Sequence, residues 1–334
     1  MIFKSKWVRA FFLFSLSVLP FFSIWAQITG YDVAYPSAYL LGLSSQGVVT
    51  KNQMGSLYGN TAFLSYQSKH IMDVSLNGSH ANGKGSPLYI SGAGYYSFSD
   101  SLGFGLRGKP VYLRSFPSDE RYSNYAFQTF ANWKVSPYIS FGLQIGPSVS
   151  GRLGGYSSYS WNVSLSTAIQ YENFRLGILL ESPGKYRFDE YLGSERLKEK
   201  LPERALVGFG YQWNDWVDLQ LEFSRKFYER TSVNLNNANQ YISYPIRTMY
   251  SGNVSLAIGK QDVFQFITGV GREIRMETEL RGFYTASLGF AGALFPTWFG
   301  EGYLYTVSLQ RSGLSVHERE GAESRMAVQL QAQF

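Results

Sequence analysis

The sequence predicts an all-β chain, a transmembrane antiparallel β-barrel of about fourteen strands. Three observations predict it: apolar and polar residues alternate with period two along most of the chain, short and long connections alternate, and the last strand ends on an aromatic residue. The composition agrees. The 334 residues include Phe 25, Tyr 25, Trp 7 and Gly 34, yet only 16% are charged and the mean hydropathy is −0.15. Disordered chains lack such aromatic content, and soluble domains carry about 25% charged residues. There is no cysteine, which excludes a disulfide scaffold, a cysteine-ligated metal or cluster, a cysteine nucleophile and an acylated lipoprotein anchor.

Residues 1–26 read as a signal peptide. Lys4, Lys6 and Arg9 form a basic start, and Ala10 to Ile24 is apolar, with Pro20 inside it. The run is shorter than the ~20 residues a spanning helix needs, and Trp25-Ala26 ends in a small residue where cleavage is expected. Removing these residues takes away three basic and no acidic side chains, so the net charge falls from +6 to +3. Half the excess behind the isoelectric point of 9.2 sits in the leader, and no basic stripe follows, so no nucleic-acid partner is expected.

Residues 27–70 do not alternate. Beyond them, Ile139, Phe141, Leu143 and Ile145 interleave with Ser140, Gly142, Gln144 and Gly146, while Val217, Leu219, Leu221 and Phe223 interleave with Asp218, Gln220, Glu222 and Ser224. Similar runs give fourteen strands: 71–80, 88–98, 102–113, 122–134, 138–150, 159–171, 174–183, 203–213, 217–229, 246–259, 264–273, 281–293, 302–312 and 324–334. Only a closed barrel satisfies the backbone groups of such strands in lipid, so residues 71–334 are read as the barrel. Short connections carry Asp100, Pro137, Asn173, Asn214-Asp215 and Gln261-Asp262; the long ones are 114–121, 151–158, 184–202, 230–245 and 313–323. That asymmetry is the one expected between periplasmic turns and outer loops. The connection Leu294–Glu301 is longer than the others of its class.

In the last strand Met326, Val328, Leu330, Ala332 and Phe334 share one face, opposite Arg325, Gln329, Gln331 and Gln333. An amphipathic strand ending on an aromatic residue resembles the signal that outer-membrane barrels present to their insertion machinery. Val328, Leu330, Ala332 and Phe334 are its candidate residues. Localisation in the outer membrane of a Gram-negative-type (diderm) bacterium follows, with lipid and lipopolysaccharide as surroundings.

Catalytic signals are sparse. Gly103 to Gly108 matches G-x-G-x-x-G in letters, but it alternates as a strand and no helix follows, so no nucleotide site is expected. His70, His80 and His317 lack metal-ligand or nucleophile-elbow spacing. No enzyme, metal or cofactor is expected. The loop 184–202 is dense in charge, and Ser194 to Leu201 has the cap and spacing of a short helix. It is either an external ligand-capture or partner-binding lid or a solvated loop at the lipopolysaccharide layer. The luminal charges Asp218, Glu222, Arg107 and Lys109 either pair across the barrel or line a path.

Residues 27–70 contain Leu41-Gly42-Leu43-Ser44-Ser45-Gln46-Gly47-Val48-Val49, then Ser56-Leu57-Tyr58-Gly59-Asn60-Thr61-Ala62-Phe63-Leu64. These elements resemble the glycine-rich segment and the S-x-Y-x-N-P-A-x-L element of the outer-membrane long-chain fatty-acid transporters and their wider relatives. Thr61 stands where that family has proline, and Leu43 and Ser44 replace its methionine and glycine. The resemblance implies that residues 27–70 are an N-terminal hatch in the lumen, with Leu41, Gly42, Leu43, Gly47, Val48, Met54, Leu57, Tyr58, Asn60 and Ala62 as its ligand-binding residues. A wide barrel needs such an occupant if it is not an open pore. Its glycines suit an extended segment on an irregular path, with an apolar surface bordering the path of a hydrophobic ligand. The function implied is passive transport of fatty-acid-like hydrophobic small molecules past the hatch. Two alternatives stand beside it: a partner-binding barrel, because some wider relatives serve type IX secretion, and a general porin.

Overall fold

The computed structural model describes residues 37–80, 88–115, 121–152, 157–183, 185–188, 197–200, 203–227, 248–276, 280–294, 302–312 and 323–334. The leader, Asp119, His317, the segment 295–301 and most of loop 184–202 lie outside them, as do the side chains of His80 and Lys109.

The strands are β1 (Ile71–His80), β2 (Leu88–Ser97), β3 (Leu102–Ser115), β4 (Arg121–Lys134), β5 (Ile139–Arg152), β6 (Ser157–Tyr171), β7 (Phe174–Pro183), β8 (Lys185–Phe188), β9 (Leu197–Lys200), β10 (Glu203–Trp213), β11 (Val217–Phe227), β12 (Thr248–Lys260), β13 (Phe264–Met276), β14 (Leu280–Ala293), β15 (Tyr303–Ser312) and β16 (Glu323–Gln333). Fourteen of them close one antiparallel barrel in sequence order, sealed by β1 against β16. The expected strands match these within a few residues. The remaining two, β8 and β9, pair with each other in the loop between β7 and β10. The short helix expected at Ser194–Leu201 is therefore overturned at Leu197–Lys200, where cross-strand pairing with Lys185–Phe188 prevails over the local helical spacing.

Alternation becomes the two faces of the wall. On β5, Phe141, Leu143 and Ile145 are exposed while Ser140 and Gln144 are buried; on β11, Leu219, Leu221 and Phe223 are exposed while Gln220 and Glu222 are buried. An apolar outside over a polar inside is the reverse of a soluble protein and the signature of a wall facing hydrocarbon. Near the short connections the outside turns aromatic, where Tyr138 sits 5.4 Å from Tyr171 and Phe174 4.8 Å from Tyr211, centroid to centroid. Trp133, Trp213 and Trp216 are exposed in the same region. Such a girdle marks a membrane interface. The face of β16 singled out in the sequence points outward: Val328 and Leu330 are exposed, as is Phe334 just beyond the strand.

Gly103 to Gly108 runs within β3, as its alternation indicates. The pairing of β3 with β4 shifts register between Pro110 and Tyr112, where proline can give no N–H to the ladder.

Candidate functional site

Residues 37–67 fill the lumen. They are not the extended segment expected but a string of short helical turns: Ala38–Gly42, Gln53–Ser56 and a 3-10 helix at Thr61–Tyr66. Each begins at a residue whose side chain accepts a backbone N–H two or three positions on. Ser37 takes that of Leu40, Asn52 that of Met54 and Asn60 that of Ala62. Gly47 has φ of 77°, a conformation that favours glycine, and a Cβ on Gly59 would strike its backbone. The two segments therefore meet backbone to backbone, with Asn60 N–H donating to Gly47 O at 2.9 Å.

The wall supplies polar partners all round. The Glu222 carboxylate accepts the backbone N–H groups of Gln46 at 2.8 Å, Val48 at 2.6 Å and Val49 at 3.3 Å. Arg107 donates to the carbonyls of Leu57 at 3.1 Å and Gly59 at 3.3 Å, and is itself braced by Gln128 and Gln144. Gln329 accepts the Tyr39 N–H and donates to Met54 O, each at 3.0 Å. Ser287 donates to Gly42 O and Ser140 to Ala62 O. The Asn60 amide bridges Val48 O and Thr167 O, both at 2.9 Å. Of the luminal charges, Asp218 pairs with Arg175 on the wall, whereas Glu222 and Arg107 bond the backbone of the hatch, which neither expected reading included.

Asp73 accepts from Tyr58 Oη at 2.7 Å and from Gln329 and Gln331. Burial, and then the neighbouring Asp73 carboxylate, push the Tyr58 hydroxyl well above the usual tyrosine range, so it stays a donor.

The ten residues named from sequence are all buried. Leu43 and Met54 pack with Tyr39, Ala257, Ile267, Ala291 and Leu304, while Leu57 and Tyr58 pack with Leu40, Leu64, Tyr95 and Phe130. Leu41 lies against Ala327, Val48 against Leu179 and Leu206, and Ala62 against Ala168. Gly42 packs against Ile267 and Ser308. The apolar side chains therefore anchor the segment to separate patches of the wall and do not converge on one pocket. Sequence reasoning missed the receiving side of that contact. A Cβ on Gly177 would overlap Val48 O, and one on Gly269 would overlap Leu43 O. Glycine at these inward positions lets the hatch backbone touch the wall.

On the side of the short connections a cavity of about 430 Å³ opens below the hatch, lined among others by Tyr39, Lys51, Gln67, Arg175, Asp218, Gln265 and Leu304. None of the ten residues lines it. Among the described residues no group of three His, Asp or Glu side chains is arranged to hold a metal ion.

No family model matches the chain, and no curated protein matches it. Solved structures do. A Pseudomonas aeruginosa FadL homologue is 13% identical, covers 92% of this chain and 99% of its own, and superposes with a TM-score of 0.73. The chain has the fold of that protein. The CymD monoaromatic hydrocarbon channel (10% identity, 91% and 98% covered, TM-score 0.72) and the Pseudomonas putida toluene transporter TodX (10%, 90% and 98%, TM-score 0.66) share it. At these identities the likeness is one of architecture, and it extends over nearly the whole length of each chain.

Proposed function

We propose that this barrel is a passive transporter of hydrophobic small molecules, fatty-acid-like or hydrocarbon, in the outer membrane of a diderm bacterium, and not an enzyme. The observation that carries the reading is the hatch: Ser37–Gln67 fills the lumen, with its polar groups bonded to the wall, in a barrel of the fold shared by a FadL homologue, a toluene transporter and a monoaromatic hydrocarbon channel. A filled lumen argues against the general porin. The hydrophobic compound moves down its gradient past the hatch, with no coupling group required. The leader directs export and is removed near Ala26, the insertion machinery reads the strand ending at Phe334, and lipid and lipopolysaccharide surround the apolar band.

Uptake of radiolabelled toluene and oleate by cells expressing the protein tests this. Faster uptake than in cells lacking it, together with low single-channel conductance of the purified barrel, is expected. A large steady conductance would establish a porin instead, and a stoichiometric protein partner with unchanged uptake would establish the partner-binding alternative.

A further inference from the structure

Three arginines sit on the lipid side of the wall. Arg225, Arg272 and Arg311 are exposed and share the outward face with Leu221, Val270 and Leu309. Each lies eight residues beyond the first residue of its strand, β11, β13 or β15. At about 3.4 Å per residue and a tilt of about 40°, that places them about 20 Å from the short connections, at the outer border of an apolar band about 25 Å tall. An arginine facing hydrocarbon is costly at mid-membrane and nearly free at that border. Arg225 lies over the Tyr250 ring, 5.4 Å from its centroid, and Glu203 shares its face one diagonal step away. Among the described residues, Arg272 and Arg311 have no acidic neighbour on that face: Gly252 and Tyr284 stand opposite Arg272, and Ala286 and Ser324 opposite Arg311. Glu273, next along the chain, turns inward to Lys226 at 3.9 Å, and neither arginine joins an ion pair among the described residues. Tyr284 backs Arg272 with its ring centroid 5.2 Å from Cζ, which leaves the N–H edges of the guanidinium available to an anion.

Two guanidinium groups therefore share one patch of the outer rim, on strands about 10 Å apart with β14 between them. Below them Val270 and Leu288 are exposed. We infer that β13–β15 bind the headgroup of a lipopolysaccharide molecule, one phosphate at Arg272 and a second at Arg311, with acyl chains along Val270 and Leu288. Guanidinium groups meet phosphate oxygens through paired charge-assisted hydrogen bonds. The long connections mark this end as the outer leaflet, and two separated cations fit a diphosphorylated headgroup better than the single phosphate of a glycerophospholipid. The inference rests on the outer-membrane placement in the proposed function and not on transport.

Native mass spectrometry of the full chain in detergent, titrated with diphosphorylated lipid A, tests it, with phosphatidylglycerol as the comparison lipid. The expected result is one lipid A per barrel, weakened at least about tenfold when Arg272→Gln and Arg311→Gln are combined. Lys260→Gln removes a cation from the opposite end of the wall, beside Trp216, and should keep binding within about threefold. Retained heat-modifiable mobility in gels shows that each variant is folded. Absence of lipid A binding, equal binding by the double variant, an equal loss in Lys260→Gln, or phosphatidylglycerol bound as tightly as lipid A would overturn the inference. Uptake of toluene and oleate reads none of these contacts, so the two proposals fail separately.

Discussion

Glu222 on β11 accepts the backbone N–H of Val48 at 2.6 Å, across 174 positions of sequence. The same carboxylate holds Gln46 and Val49, so a single wall residue orders the turn that follows Ser45. Replacing Glu222 by alanine leaves these donors unpaired at about 1–3 kcal/mol each when buried. Amide exchange over residues 46–49 should accelerate at least about tenfold, equivalent to about 1.4 kcal/mol, with the strands unchanged. Unchanged exchange in that turn would show that Glu222 does not hold it.

The close contacts of Gly177 with Val48 and of Gly269 with Leu43 leave no room for a methyl group. Gly269→Ala and Gly177→Ala should displace the hatch and raise the ion conductance of barrels in planar bilayers. Gly94→Ala is the control, because a Cβ there would lie 3.9 Å from Ile71 O, an ordinary contact. If all three variants conduct alike, the hatch is not seated on these glycines.

Leu143 on β5 is 47% exposed and lies on the apolar outer face. Leu143→Arg should lower barrel stability by about 2–4 kcal/mol if its position is near mid-membrane. Denaturant unfolding in lipid vesicles measures this, and Leu143→Ile should behave like the parent. An arginine tolerated without loss would mean that this face does not meet hydrocarbon.

Phe334 exchanges both backbone hydrogen bonds with His70: its N–H donates to His70 O at 2.9 Å, and its carbonyl accepts the His70 N–H at 3.1 Å. Deleting Phe334 should cut the yield of folded barrel in cells several-fold, read as the heat-modifiable band, because both the seam and the exposed terminal aromatic are lost. Phe334→Trp should restore it. A deletion with full yield would remove the assembly role.

The wall was legible because every strand writes its environment with period two; Ile139 to Ile145 and Val217 to Phe223 needed no tertiary information. Strand ends drifted by one to three residues where the exposed alternation stops. The hatch was legible as a place but not as a shape. Ser37, Asn52 and Asn60 are cap residues visible in the sequence, yet each starts a helix of only four to six residues, too short for any periodicity to register. The partners were not legible at all, because Arg107 and Glu222 look like any inward polar residue of a barrel until the chain that they grip is placed beside them. Gly177 and Gly269 were silent for the same reason. At Leu197–Lys200 the local signal pointed to helix and lost to a pairing with residues 185–188, which local sequence does not encode.

The seam of β1 and β16 has a bearing on how the molecule is made. Asp73 on β1 meets Gln329 on β16 across 256 positions, and Gln329 also binds Tyr39 and Met54 of the hatch. The ring cannot shut until its last strand has been synthesised, and the hatch precedes its first. Gln329 thus ties the closing strand both to β1 and to the hatch, so the strand that completes the wall also completes the bonds that hold its contents.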